Sequence, residues 1–217
     1  MNAYNYQLNA NDAREGSGGG NHRIHESGAY IGVLTKAKHI VATTGAVGVE
    51  CEFESKAGEQ ARFTLYTHNK SGEVIYGCKQ LQALMAVLKL RDIRPQLATI
   101  EEYDFDTRQV AKVQAEIFPD LMNRPVGIVF QIEEYLNGSG EVKQRPNFYA
   151  PYNAETSQLA IELLDQEPAK KLEKILQNLQ DKKLPAQTRP PATSIGSGNI
   201  KAPGAHKIPD FDDDIPF

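Results

Sequence analysis

Three runs of alternating apolar and polar residues, one helical stripe and two further alternating runs occupy residues 30–150 in that order. This succession predicts a mainly β body with some α, in the element order of an OB-like five-stranded barrel. Two other observations complete the prediction. Apolar-periodic segments after residue 153 add C-terminal helices, and stretches rich in Gly, Pro and polar residues at the two ends predict disordered tails. The expected organisation is a flexible N-terminal segment over 1–28 and a barrel domain over 29–153. Helices follow over 154–183, then a disordered linker over 184–208 and an acidic peptide over 209–217.

Each element has its own signature. Residues 1–28 centre on Gly16-Ser17-Gly18-Gly19-Gly20, and the run continues Asn21-His22-Arg23 without the Lys-Ser/Thr of a phosphate-cradling loop, so it reads as a connector. Residues 30–41 form a long first strand. In the second, Val47, Val49, Cys51 and Phe53 alternate with Gly48, Glu50, Glu52 and Glu54. Lys56-Ala57-Gly58-Glu59 turns the chain into a third strand with Ala61, Phe63 and Leu65 on one face and Arg62, Thr64 and Tyr66 on the other; Asn69-Lys70-Ser71-Gly72 is the next turn. Leu81, Leu84, Met85 and Leu88 mark a helix near 77–90, and Pro95 prevents its continuation. Residues 98–120 read as a strand or hairpin insertion. Val126, Ile128, Phe130 and Ile132 give another strand, and Asn137-Gly138-Ser139-Gly140 a hairpin loop back into 142–150. Helices are expected over 154–165 and 169–180, the second with an apolar stripe of Leu172, Ile175, Leu176 and Leu179 that either closes the core or mediates self-association into a homo-oligomer.

The composition excludes several classes. No apolar run is long enough to span a bilayer, and Met1-Asn2-Ala3-Tyr4-Asn5-Tyr6 lacks the basic start and apolar stretch of a signal peptide, so a cytoplasmic protein without membrane attachment is expected. Cys51 and Cys78 form no CxxC pair, which fits a reduced compartment rather than a disulfide framework or zinc site. His22 and His25 have no further ligands nearby. Glu101, Glu102, Asp104 and Asp106 lack the downstream Lys and carboxylates of a two-metal nuclease and read as a solvated acidic loop. With no nucleophile elbow, HExxH or Walker loop either, no enzyme, cofactor or metal is expected. The net charge of −4 confines any nucleic-acid site to a local basic groove.

The chain closes on Pro209-Asp210-Phe211-Asp212-Asp213-Asp214-Ile215-Pro216-Phe217. An aromatic residue carrying a terminal carboxylate suits one pocket with a cationic side chain, and the aspartates suit a basic rim. Asp-Phe-Asp-Asp-Asp-Ile-Pro-Phe resembles the C-terminal peptide of bacterial single-stranded-DNA-binding proteins (SSB), which recruits repair, recombination and replication enzymes. The resemblance makes Phe217 the buried anchor, Ile215 and Pro216 its support, and Asp212, Asp213 and Asp214 the electrostatic part. Residues 30–165 also resemble a family of phage proteins encoded beside recombination functions. That likeness rests on Gly28-Ala29-Tyr30-Ile31-Gly32, the strand from Gly48 to Phe53, Gly77-Cys78-Lys79-Gln80-Leu81-Gln82-Ala83-Leu84 and Ala150-Pro151-Tyr152. Together the resemblances imply single-stranded DNA as one partner. The other partners implied are host enzymes of the SSB-interacting kind: an exonuclease, a helicase, the primosome or recombination mediators.

Single-strand binding needs cations for phosphates and aromatic faces for bases. The chain has no Trp, a departure from SSB proteins, in which tryptophans do much of the stacking, so Tyr and Phe would have to take that role. The candidates are Lys36 and Lys38 on the first strand, Arg62 and Tyr66 on the third, Lys79, Arg91 and Arg94 around the helix, and Lys143, Arg145, Phe148 and Tyr149 in the last hairpin. Phe148 reads equally as core. Glu50, Glu52 and Glu54 share the outward face with Arg62 and Tyr66, so either these charges neutralise one another or the DNA path lies elsewhere. Two other readings stand beside an ssDNA-coating protein: a decoy that carries the tail to redirect or inhibit host enzymes without binding DNA, and an ssDNA-annealing recombination protein.

Overall fold

A computed structural model describes residues 23–104 and 109–185. The chain forms β1 (Gly28–Val41), β2 (Val47–Ser55), β3 (Gln60–His68), α1 (Tyr76–Val87), β4 (Gln96–Asp104), β5 (Gln109–Ile117), a 3-10 turn over Pro119–Leu121, β6 (Val126–Leu136), β7 (Val142–Tyr152), α2 (Ala160–Leu164) and α3 (Lys171–Asn178). It is a mainly β fold in which all seven strands join one open antiparallel sheet. The path runs β3-β2-β1-β5-β4, with β6 on the other part of β1 and β7 beyond β6. The residue 98–120 insertion is the β4–β5 hairpin.

The alternation expected for β2 and β3 decides their faces. Val49, Cys51 and Phe53 are buried opposite Leu65, Phe63 and Ala61, while Arg62 pairs with Glu52 and Thr64 with Glu50 on the other face of the sheet. Aromatic rings knit the core around Phe130, which lies 5.4 Å from Phe53, 5.7 Å from Phe63 and 6.1 Å from Tyr30. The bulge opposite Val129/Phe130 lies in β7, at Tyr149, so the alternation of β6 continues and turns adjacent residues to opposite sides. Phe130 thereby enters this core, and Val129 enters a second cluster with Tyr152 and Leu159. Leu172 and Ile175 of α3 and Leu179 just after it pack on that second cluster, so the stripe closes a core; Leu176 stays partly exposed.

No ladder joins β3 to β7 among the described residues, and the sheet is not closed there. Two local features explain the gap. Pro146 and Pro151 lie in β7 and cannot donate to a neighbour, which suits an edge strand. The Gln80 side chain of α1 donates to the Phe148 carbonyl at 3.1 Å, taking an acceptor that a β3 partner would use. The helix sits directly on β3: a Cβ on Gly77 would come within 2.1 Å of the Tyr66 carbonyl oxygen, so only glycine fits.

Two element boundaries differ from those expected. Ile24, within the segment expected to be flexible, is 1% exposed and its N–H donates to the Gln60 carbonyl at 2.8 Å. The helix expected over 154–165 shortens to Ala160–Leu164, because Asn153 Oδ1 accepts the N–H groups of Glu155 and Thr156 and turns the chain first. No helix among the described residues is long and apolar enough to cross a membrane.

Candidate nucleic-acid interface

The sequence candidates separate into two outward faces and a scattered remainder. On β1–β3, the antiparallel register sets Lys36 opposite Glu52 and Lys38 opposite Glu50. Lys36 Nζ lies 2.7 Å from Glu52 Oε1, and Arg62 Nη2 lies 2.7 Å from Glu50 Oε2. Lys38 stands 3.5 Å from Glu50 Oε1 and also pairs with Glu102 of β4. Glu102 lies well along the hairpin from the point where Lys38 pairs with Ile117, so β4–β5 must bend over this face for the two to touch. The acid–base row Glu102, Lys38, Glu50, Arg62 is largely withdrawn from water: the side chains of Lys38 and Glu50 are only 15% and 5% exposed. Glu50 Oε1 is buried without a hydrogen-bond donor. The neutralisation posed by the sequence is therefore what this face displays. Tyr66 is half-buried beside it. Burial and the Glu50 charge push its phenol above the ordinary value, against an opposing pull from Arg145.

The β6–β7 face is different. Arg145 pairs with Glu133 across the ladder, at 3.3 Å between Nη2 and Oε2, and its guanidinium stands 5.0 Å over the Tyr135 ring. Lys143 is opposite Tyr135 and meets Glu141 at 3.6 Å. Glu133 holds a second cation, Lys182, on its other oxygen. Burial opposes the Glu133 charge, but its hydrogen bonds and Coulomb attraction to Lys182 and Arg145 outweigh that and hold the carboxyl below the ordinary value. Cations outnumber carboxylates here, and they are exposed.

The remaining candidates are not gathered with either set. Phe148 takes its core alternative: it is 2% exposed, with its ring 5.0 Å from Phe63, and offers no face to a base. Its neighbour Tyr149 points outward and is 45% exposed. Lys79 lies on the exposed side of α1; Arg91 and Arg94 follow the helix, the latter paired with Asp92. The terminal candidates Asp212, Asp213, Asp214, Ile215, Pro216 and Phe217 lie outside the described residues, as do His22 and Asp106. Among the described residues no group of His, Cys, Asp and Glu could hold a metal ion. Cys51 is fully buried and its thiol is pushed up by burial and by Glu50 and Glu52.

Sequence reading passed over Tyr135, Glu133 and Lys182. For Tyr135 the signal existed: if Ile128, Phe130 and Ile132 point inward, residue 135 falls on the outward parity. For Lys182 none did. A scan against protein-family models and a search of curated proteins find no match to this chain.

Proposed function

We propose that this chain is a non-enzymatic single-stranded-DNA-binding protein of phage type. It coats ssDNA during replication and recombination, and recruits host SSB-interacting enzymes through its C-terminal acidic peptide. Strands β1, β2, β3, β6 and β7 with α1 are read as an OB-like body into which the β4–β5 hairpin is inserted. The observation that carries the DNA part is the pairing of the Arg145 guanidinium with the Tyr135 ring beside Lys143, on a solvent-facing strand pair. Such a surface offers cations to phosphates and flat groups to bases without reading sequence. The recruiting part rests on the Asp-Phe-Asp-Asp-Asp-Ile-Pro-Phe ending.

A gel shift with single- and double-stranded oligonucleotides at two salt concentrations tests this reading. The expected result is a salt-dependent preference for single strands. The neutralised β1–β3 face favours the decoy reading instead, and no shift at low salt would select it. Large assemblies on DNA in light scattering would point to an annealing protein. Trimming residues 209–217 should leave DNA affinity unchanged or raise it while abolishing capture of a host exonuclease or helicase; retained capture would sink the recruiting role.

A further inference from the structure

The free edge of β6 is covered by an unexpected segment. β1 reaches only as far as Phe130, where Gly28 pairs, so β6 residues beyond it have an unfilled side. Residues 180–184, expected to be a helix end and the start of a linker, run along that side as a parallel addition. The Lys182 N–H donates to the Ile132 carbonyl and the Glu134 N–H donates to the Lys182 carbonyl, both at 2.8 Å. The Gln131 side chain donates to the Gln180 carbonyl at 2.8 Å, and Leu184 N–H donates to Glu134 Oε2 at 3.1 Å. Ser27 completes the attachment, donating to Asp181 at 2.6 Å and accepting from the Ile132 N–H at 2.8 Å.

This docking fixes Lys182 beside Arg145 with one carboxylate, Glu133, between them. The carboxylate is mostly shielded, whereas the side chains of Lys182 and Arg145 are 61% and 49% exposed. Two donors already spaced on the two oxygens of one acceptor match the two non-bridging oxygens of a phosphodiester. The cations of the β1–β3 face lack that exposure. We propose that the docked segment is part of the nucleic-acid interface, with Lys182 and Arg145 together gripping one backbone phosphate of single-stranded DNA over Glu133. This rests on the single-strand-binding reading and adds to it a contact residue from outside the strands.

The test is fluorescence anisotropy of the intact 217-residue chain with a labelled oligo-dT, titrated at several salt concentrations. Lys182→Gln should weaken binding severalfold and make the salt slope shallower by about 0.7, the share of one phosphate contact on a single strand. Lys182→Arg should retain the wild-type slope, and Glu133→Gln, which removes the competing anion, should tighten binding. Hydrogen exchange at the Glu134 and Lys182 amides reports whether the segment stays docked in each variant. If wild type binds and Lys182→Gln matches it in affinity and slope, the proposal is overturned. It is equally overturned if affinity falls at unchanged slope while those amides lose protection, since Lys182 then acts only to hold the segment. Absence of binding by wild type overturns the single-strand reading itself.

Discussion

The two charged faces of this sheet use similar residues toward opposite ends. On β1–β3, Lys36, Lys38 and Arg62 meet Glu50, Glu52 and Glu102 one for one, and the central pair is buried. On β6–β7, Glu133 alone is shared by Arg145 and Lys182, and the cations remain in water. The difference is between charge spent on holding the sheet and hairpin together and charge left for a partner. A basic residue on a strand is thus no measure of binding capacity until its partners are known.

Stability should separate the faces most sharply. Glu50→Ala removes the carboxylate that sits between Lys38 and Arg62 and is expected to cost about 3 kcal/mol in urea unfolding, because it strands cations in a desolvated site. Glu133→Ala removes a carboxylate whose partners are exposed and should cost below about 1 kcal/mol. Equal losses would erase the contrast. DNA affinity should then reverse the ranking. Arg145→Gln is expected to weaken ssDNA binding about tenfold, the scale of one charge-assisted hydrogen bond, while Lys38→Gln leaves it nearly unchanged; anisotropy titrations at one fixed salt concentration compare them.

The smallest effect is in pH. The Glu133 carboxyl lies below its ordinary value of 4.5 in the folded chain. A depressed folded value means that ionisation favours the folded state. The advantage of wild type over Glu133→Gln should accordingly be complete above pH 4.5 and fade as the pH falls through the lower folded value. Urea midpoints at neutral pH and at successive acid steps check it, and an advantage that grows on acidification would contradict the assigned partners.

Much of the fold was legible because period-two alternation is a local signal. Val49, Cys51 and Phe53 could point only one way once Glu50, Glu52 and Glu54 took the opposite face. The α3 stripe was legible from an equally local signal, the helical spacing of Leu172, Ile175, Leu176 and Leu179. The helix start near 154 was not, because the Asn153 side chain competes locally for the N–H groups of Glu155 and Thr156. Ile24, a lone apolar residue in a polar stretch, has no period to read. Of the candidate site, the residue types were visible but their partnerships were not. Glu102 meets Lys38 only because a hairpin bends, and Lys182 reaches Glu133 only because a non-periodic segment finds a bare strand edge.

The edge of β1 that faces away from β2 is divided: residues 28–32 belong to β6, and the β5 side holds on near Lys38 alone. Gln96 and Ile117 face each other where the hairpin leaves and rejoins the body. The excursion therefore joins the body through one short junction and the Lys38–Glu102 pair, while the ladders around the aromatic rings run on without it. A short turn spliced across that junction would yield a smaller protein with the same core and a newly uncovered Lys38.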